Sequence, residues 1–111
     1  MDRELKRGTL EMVLLKLLST REMYGYEIIS ALQERSKGEF LLKDGTLYPV
    51  LYRLEQAGYI KPRWETPERG VPRKYYRITP SGARQLETLI EEWQAFSAAV
   101  SYLLEAKRRH V

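Results

Sequence analysis

The chain has 111 residues, of which 43% are hydrophobic and 31% are charged, with a formal net charge of +4 and no cysteine. This balance indicates one folded domain rather than a disordered segment, and it excludes disulfide bonds and thiolate chemistry. No apolar run approaches the roughly 20 residues of a membrane span and no signal-peptide core is present, so a cytoplasmic protein without a membrane partner is expected.

The first predicted helix runs from about Leu5 or Thr9 to Ser19. Its apolar side chains recur at helical spacing and form one stripe. The members of this stripe are Leu10, Val13, Leu14, Leu17 and Leu18. Met12 and Leu15 lie off the stripe and widen the apolar surface. Two interpretations stay open for them, a second contact such as another subunit or a broad face of the core.

A second and a third helix are predicted to follow in close succession. A short polar turn over residues 20–23 leads into a helix over residues 24–35. Residues 36–39 give a turn signal, and residues 40–42 are expected to form an extended or irregular link. The third helix is predicted over residues 44–58. Helix, turn and helix in this order are typical of a helix-turn-helix, although the connector is longer than in the tightest units.

The third predicted helix has two different faces at 3.6 residues per turn. Its aliphatic face, predicted to be buried, consists of Leu47, Val50, Leu51 and Leu54. The opposite face is centred on Pro49, Tyr52 and Gln56, with Tyr48 and Arg53 beside it. An aromatic, hydrogen-bonding and cationic face without a central carboxylate suits a nucleic-acid groove. The alternative is an ordinary amphipathic surface helix.

The limits of the third helix follow from its special residues. Proline has no N–H to donate and is best tolerated in the first turn, where that donor has no helical partner. Pro49 therefore predicts a start within a residue or two of Thr46, with Asp44 or Thr46 as N-cap. Gly58 is expected to end the helix.

After Gly58 the apolar period changes from 3.6 to 2. Residues 59–65 and 73–79 alternate, and turn-forming residues lie between them, which predicts a β-hairpin with a long exposed tip. Pro62 marks its strand as an edge. Residues 61–77 carry six basic and two acidic side chains, so their net charge equals that of the whole chain. A solvated polar hairpin is the alternative to a hairpin that meets an anionic partner.

Thr79 and Pro80 are predicted to cap and start the last helix, which runs about 28 residues, to about Lys107. A helix of that length spans roughly 42 Å, more than a domain of this size can cover. Its apolar side chains form a regular seam of the coiled-coil type. A homodimer is therefore predicted through Leu86, Leu89, Ile90, Trp93, Phe96, Val100 and Leu103.

Four strings of this sequence together resemble the PadR family of bacterial transcriptional regulators. They are YGYEI at 24–28, GTLYPVLYRLE at 45–55, GYI at 58–60 and RKYYRIT at 73–79. The resemblance covers residues from about 8 to 96. It implies a mainly α fold with a small β-hairpin, in which residues 1–79 form a winged helix-turn-helix and residues 80–111 form a long C-terminal dimerisation helix. This arrangement resembles the short-chain branch of the family.

The resemblance also implies a function. Family members commonly repress genes for detoxification, efflux or stress responses, and some bind aromatic or drug-like effectors. We therefore expect a homodimeric, DNA-binding repressor that recognises a pseudo-palindromic operator in double-stranded DNA and that a small aromatic effector releases.

Nine side chains are candidates for contacts with DNA. On the third helix they are Thr46, Tyr48, Pro49, Tyr52 and Arg53. Phosphate or minor-groove contacts are expected from Tyr24, Arg69, Arg73 and Lys74. For Arg53 both guanine and phosphate stay open as targets. For Tyr48 and Tyr52 the alternative is packing against the hairpin.

Trp93 has two interpretations. It is either a core aromatic of the dimer seam or, as in drug-binding relatives, the wall of a pocket for a planar effector, with Met12 and Leu15 as the floor.

Two other classes of protein compete with a DNA-binding regulator. A winged-helix protein-interaction module without sequence-specific DNA binding is the main alternative. An enzyme is not expected, because the only histidine is His110 and there is no metal-ligand cluster and no glycine-rich phosphate loop. Neither a metal nor a cofactor is predicted.

Overall fold

The computed structural model describes the backbone of residues 3–105 and the side chains of residues 8–105. The elements are α1 (Arg3–Thr20), β1 (Met23–Tyr24), α2 (Gly25–Arg35), α3 (Asp44–Gln56), β2 (Ile60–Glu65), β3 (Arg73–Ile78) and α4 (Pro80–Glu105). The predicted fold class, mainly α with a small β part, is confirmed. The predicted end of the last helix near Lys107 lies outside the described residues, as does His110.

The three strands form one antiparallel sheet in the order β1–β3–β2. The predicted hairpin is therefore present, and Pro62 lies on an edge strand as expected. We call β2, β3 and the loop between them, residues 66–72, the wing. Apolar faces of α1, α2 and α3 meet the inner face of the sheet in a single core. Burial of aliphatic side chains at about 25 cal/mol per Å² is the main force that holds these elements together.

Leu15 on α1 belongs to this core, since its side chain is 0% exposed. For Leu15 the broad-core interpretation is therefore the right one. A fully buried side chain cannot floor a surface pocket, so the structure removes Leu15 from the predicted effector site. Met12 packs against the core but stays partly exposed.

The sequence predicts only a polar turn over residues 20–23, whereas Met23 and Tyr24 form a third strand. Met23 pairs with Tyr76 of β3, and Tyr24 pairs with Tyr75. Met23 is fully buried. A strand of two residues is too short to show a period, and it exists only because β3 supplies its partner.

Helix α3 starts at Asp44, within the predicted two residues of Thr46, but its N-cap differs from the prediction. Its N-cap is Lys43, which makes no side-chain cap hydrogen bond, so neither Asp44 nor Thr46 is the cap. The N–H groups of Thr46 and Leu47 both donate to the Lys43 carbonyl, so the first turn begins at the early limit of the predicted range. Pro49 consequently lies in the second turn, where its missing N–H leaves the carbonyl of residue 45 without its helical donor.

The end of α3 and the start of α4 agree with the prediction. Gly58 adopts φ +79°, and Tyr59 N–H donates to the Leu54 carbonyl at 2.9 Å, a Schellman-type ending. Thr79 caps α4, because Gly82 N–H donates to its Oγ1 at 3.0 Å. Gly82 also allows close packing, since a Cβ there would collide with the Tyr59 carbonyl. This contact fixes where α4 leaves the sheet.

Candidate nucleic-acid interface

Helix α3 divides into faces as the sequence predicts. Its buried residues are Leu47, Val50, Leu51 and Leu54. Thr46, Tyr48, Pro49 and Tyr52 are exposed, and Tyr52 retains 64% of its accessible surface. Keeping an apolar aromatic ring in water is unfavourable, and a partner that covers the ring removes this free-energy cost. The exposed face of α3 is therefore suited to recognition.

Tyr48 also has a packing role. Its hydroxyl lies against Gly25, the first residue of α2, so closely that a Cβ at that position would collide with it. Gly25 is buried. Glycine at this position lets α2 and α3 approach each other without displacing the Tyr48 side chain. The predicted alternative for Tyr48 was packing on the wing, and the structure adds α2 as a second neighbour.

A cleft of about 390 Å³ separates α3 from the wing. Its lining is aromatic with one cation and one carboxylate, and consists of Tyr48, Pro49, Tyr52, Glu55, Lys74 and Tyr76. Three of the side chains predicted to face DNA on α3 thus share one surface with two side chains of the wing, Lys74 and Tyr76. The two elements present a continuous concave surface rather than two separate patches.

Lys74 is engaged within this cleft. Its Nζ lies 3.2 Å from the Glu55 carboxylate and 5.3 Å from the centre of the Tyr76 ring. Partial burial opposes the charged form of Lys74, but Glu55 and Tyr76 outweigh it and leave the pKa of Lys74 raised. Burial raises the pKa of Tyr76 as well. The sequence predicts a cation free for phosphate, whereas the structure shows one that ties the wing to α3.

Arg73 and Tyr24 lie close together on the outer face of the sheet, which points away from the cleft between α3 and the wing. The guanidinium of Arg73 stacks over the Tyr24 ring with 4.8 Å between its carbon and the ring centre. Tyr24 is the N-cap of α2, and its N–H donates to the Glu27 carboxylate. Arg69 lies in the exposed loop of the wing. Neither Arg69 nor Arg73 has an ion-pair partner among residues 8–105.

Arg53 packs toward α1. Its Nε lies 3.5 Å from Oε1 of Glu11, and this nitrogen is shielded from solvent without a hydrogen-bond partner in the described part of the chain. The sequence predicts Arg53 beside the exposed face of α3, but it does not predict a partner on α1. The pair could not be found by spacing, because the two residues lie on different helices.

The outer face of the sheet carries further cations. In the sequence they count toward the net charge of the hairpin, but no individual role is predicted for them. Arg63 donates to Glu22, with 3.0 Å between its Nε and Oε1, and its guanidinium also lies over the Tyr75 ring. The hydrogen bond from Arg63 holds the pKa of Glu22 below its ordinary value. Lys61 and Arg77 are exposed on this face. Arg63 is therefore partly neutralised, which reduces the effective charge of the wing.

Helix α4 divides along its length. Leu86 is buried, and Leu89 and Ile90 pack partly against the core. Beyond them the seam is open, since Trp93 is 38% exposed and Leu103 is 74% exposed. Phe96 and Val100 are also exposed, and the rings of Trp93 and Phe96 lie 6.4 Å apart. A continuous apolar stripe is thus left uncovered within the described chain.

Among the described residues, no group of three or more histidine, cysteine, aspartate or glutamate side chains is arranged to hold a metal ion. No described helix combines the length and the apolar character that crossing a membrane requires.

Comparison with known proteins gives concordant matches. The model of the transcriptional regulator PadR-like family matches residues 14–88. An uncharacterized protein of Lysinibacillus sphaericus is 35% identical over 99 residues, which cover 89% of this chain and 91% of that protein. The transcriptional regulator YqjI of Escherichia coli is 35% identical over 80 residues, or 72% of this chain but only 37% of YqjI. The crystal structure of a PadR family transcriptional regulator from Eggerthella lenta is 36% identical with a TM-score of 0.82, covering 94% of this chain and 88% of that one.

Proposed function

Because the chain belongs to the PadR-like family of transcriptional regulators, we propose that it is a homodimeric repressor that binds a pseudo-palindromic operator in the cytoplasm. Members of this family are regulators rather than enzymes, so the function is binding. The observation that carries the proposal is the shared surface of α3 and the wing, in which Tyr48, Pro49 and Tyr52 face Lys74 across one cleft.

In this proposal α3 enters the major groove and the wing follows the adjacent backbone. Tyr52, Pro49 and Thr46 meet base edges, since they are exposed on the outer side of α3. Arg69 and Arg73 contact phosphates or the minor groove. Tyr24 donates its hydroxyl to a phosphate at the start of α2, beside the Arg73 guanidinium that stacks on it.

Lys74 has a different role from Arg73. Because Glu55 already neutralises it, Lys74 mainly fixes the angle between the wing and α3. It reaches a phosphate only if it exchanges Glu55 for that phosphate. Its contribution to the salt dependence of binding is therefore smaller than that of Arg73.

We propose residues 1–79 as the DNA-binding unit and residues 80–111 as the dimerisation helix. The open apolar stripe of α4 supports this division, because Trp93, Phe96 and Val100 are exposed in one protomer. A second copy of the stripe would cover them. Two reading helices related by a two-fold axis require half-sites about 10 bp apart or a multiple of that spacing.

A planar aromatic effector is proposed to bind between Trp93 and Met12, without Leu15. The exposed indole of Trp93 beside Phe96 supports it. In a Trp64→Phe background, planar aromatic compounds are expected to quench the fluorescence of Trp93. If a broad panel of such compounds neither quenches the fluorescence nor raises the melting temperature, Trp93 is interface core and no effector binds there.

Footprinting on the promoter of the gene that encodes this protein tests the proposal, because autoregulation is the simplest target to examine. We expect two protected half-sites and an affinity that falls steeply as salt rises. A protein without measurable salt-dependent affinity for any duplex would instead be a winged-helix module for protein partners.

A further inference from the structure

Arg53 is a candidate for DNA contact on α3, and its side chain lies against a carboxylate of another helix, α1. Its Nε faces Oε1 of Glu11 on α1 at 3.5 Å. That distance makes a charge contact but no hydrogen bond, and the Nε atom is shielded from solvent. The Arg53 side chain as a whole is still 37% exposed. The inner edge of the guanidinium is therefore covered, while part of the group stays accessible.

The chemistry of the guanidinium gives this arrangement a consequence. Its N–H donors form a rigid planar fork, and the two terminal nitrogens alone can donate to guanine O6 and N7 or to two phosphate oxygens. A buried nitrogen without a hydrogen bond is unusual in native proteins and calls for a specific reason. Contact with Glu11 at the inner edge would leave the outer edge of the fork to a partner outside the protein.

Resting on the proposed DNA-binding function, we propose that Glu11 is a positioning residue for Arg53. Its carboxylate holds the guanidinium in one orientation on the flank of α3, so that the terminal nitrogens are presented to the DNA before binding. Less side-chain freedom is then lost when the contact forms. A carboxylate on α1 thus helps to set the sequence preference of α3 without touching DNA.

Positioning by Glu11 differs from two simpler roles, repulsion of phosphate and sequestration of Arg53, in whether loss of the carboxylate weakens or strengthens binding. Removal of any carboxylate near DNA should strengthen binding to every sequence, because phosphate repulsion falls. If Glu11 merely sequestered Arg53, its removal would also strengthen operator binding. Positioning predicts the opposite, a weaker preference for the operator over other duplexes.

The test is a double-mutant cycle on DNA affinity. The parent protein, Glu11→Gln, Arg53→Ala and the double variant are titrated on the operator and on a scrambled duplex. We expect Glu11→Gln to lower the ratio of the two affinities roughly tenfold, and Arg53→Ala to lower it at least as much. In the Arg53→Ala background, Glu11→Gln should change the ratio no further.

Two controls make the result specific. Glu34→Gln removes the same charge from an exposed position on α2 that has no ion-pair partner among the described residues, and it should leave the ratio unchanged. Arg53→Lys keeps the charge but not the fork, so it should keep the salt dependence, lose discrimination and become insensitive to Glu11→Gln. Equal melting temperatures show that each variant is folded, and Glu11→Ala replaces Glu11→Gln in the cycle if Glu11→Gln does not fold.

Two outcomes overturn the proposal. One is a Glu11→Gln protein whose preference for the operator is unchanged or stronger. The other is a Glu11→Gln effect of the same size with and without Arg53, because the two residues would then act independently. A parent protein that binds no duplex at all would instead refute the proposed function.

Discussion

At the scale of single residues, charge counted along the sequence overstates what the wing can offer to DNA. Two of its six cations are paired within the protein, Arg63 with Glu22 and Lys74 with Glu55. Arg69 and Arg73 have no such partner in the described part of the chain. The cations of the wing therefore differ in how available they are to phosphate, with Arg69 and Arg73 more available than Arg63 and Lys74.

Arg73→Ala is expected to weaken binding to all DNA sequences alike and to reduce the salt slope by about 1, because one phosphate contact is lost. Lys74→Ala should reduce the slope less, since Glu55 already neutralises Lys74. Binding isotherms at four salt concentrations measure both slopes. Arg84→Ala, an exposed change of the same charge on α4, is the control and should leave the slope as it is. A Lys74 effect larger than that of Arg73 would contradict the ranking.

The Glu22–Arg63 pair predicts a small dependence of stability on pH. The pKa of Glu22 is lowered in the folded state by the hydrogen bond from Arg63, so the pair stabilises the fold above the ordinary carboxyl pKa of 4.5. That stability is lost as pH falls through the lowered pKa. Urea midpoints of the parent and Arg63→Gln should therefore differ more at pH 7 than near pH 2, where the contact of Arg63 with the Tyr75 ring remains. An equal difference at both values would show that the pair does not titrate in this way.

At the scale of elements, two glycines decide how helices approach their neighbours. Gly25 lets the first turn of α2 meet the Tyr48 ring of α3, and Gly82 lets α4 meet the backbone of the turn after α3. The first neighbour is a side chain, which can move or be shortened. The second is a backbone carbonyl, which cannot.

Gly25→Ala is expected to cost about 1–3 kcal/mol, as overpacking of a close contact does. Tyr48→Phe should recover part of that loss, because it removes the hydroxyl that the new Cβ would meet first. Gly82→Ala should destabilise the fold more, and Tyr48→Phe should not relieve it. Denaturant unfolding of the four variants measures these differences. A Gly25→Ala protein as stable as the parent would show that α2 can move away from α3.

Much of the element order could be predicted from the sequence, because it depends on local chemistry. The apolar periods, Gly58 and the Thr79–Pro80 start each act within a few residues. What could not be predicted depends on distant partners. Strand β1 needs β3, Arg53 pairs with Glu11 of α1, and Lys74 pairs with Glu55 of α3.

At the scale of the whole molecule, one protomer is elongated, with extents of 71, 28 and 22 Å. The long axis reflects α4, of which only the first part packs against the core. The apolar stripe beyond Ile90 has no cover within the described chain. This shape is unfavourable for a monomer in water, and the proposed second copy on α4 would cover the stripe.

Val100→Asp tests this dimer. In the proposed interface it would bury an unpaired carboxylate, a penalty of several kcal/mol, and sedimentation should show folded monomers. Ala98→Asp adds the same charge on the opposite side of α4 and should leave the dimer intact. Val100 is preferable to Leu89 for this purpose, because Leu89 also packs against the core of its own protomer. A Val100→Asp protein that remains a dimer would contradict the seam.

Selection of bound duplexes from a random DNA pool tests the central claim most directly, since it requires no knowledge of the target gene. A homodimer that reads sequence with α3 and follows the backbone with the wing should enrich one pseudo-palindromic motif, with half-sites about 10 bp apart or a multiple of that spacing. The Tyr52→Ala variant should enrich a different or weaker motif from the same pool. A parent protein that enriches no motif after repeated rounds at low salt would contradict the account.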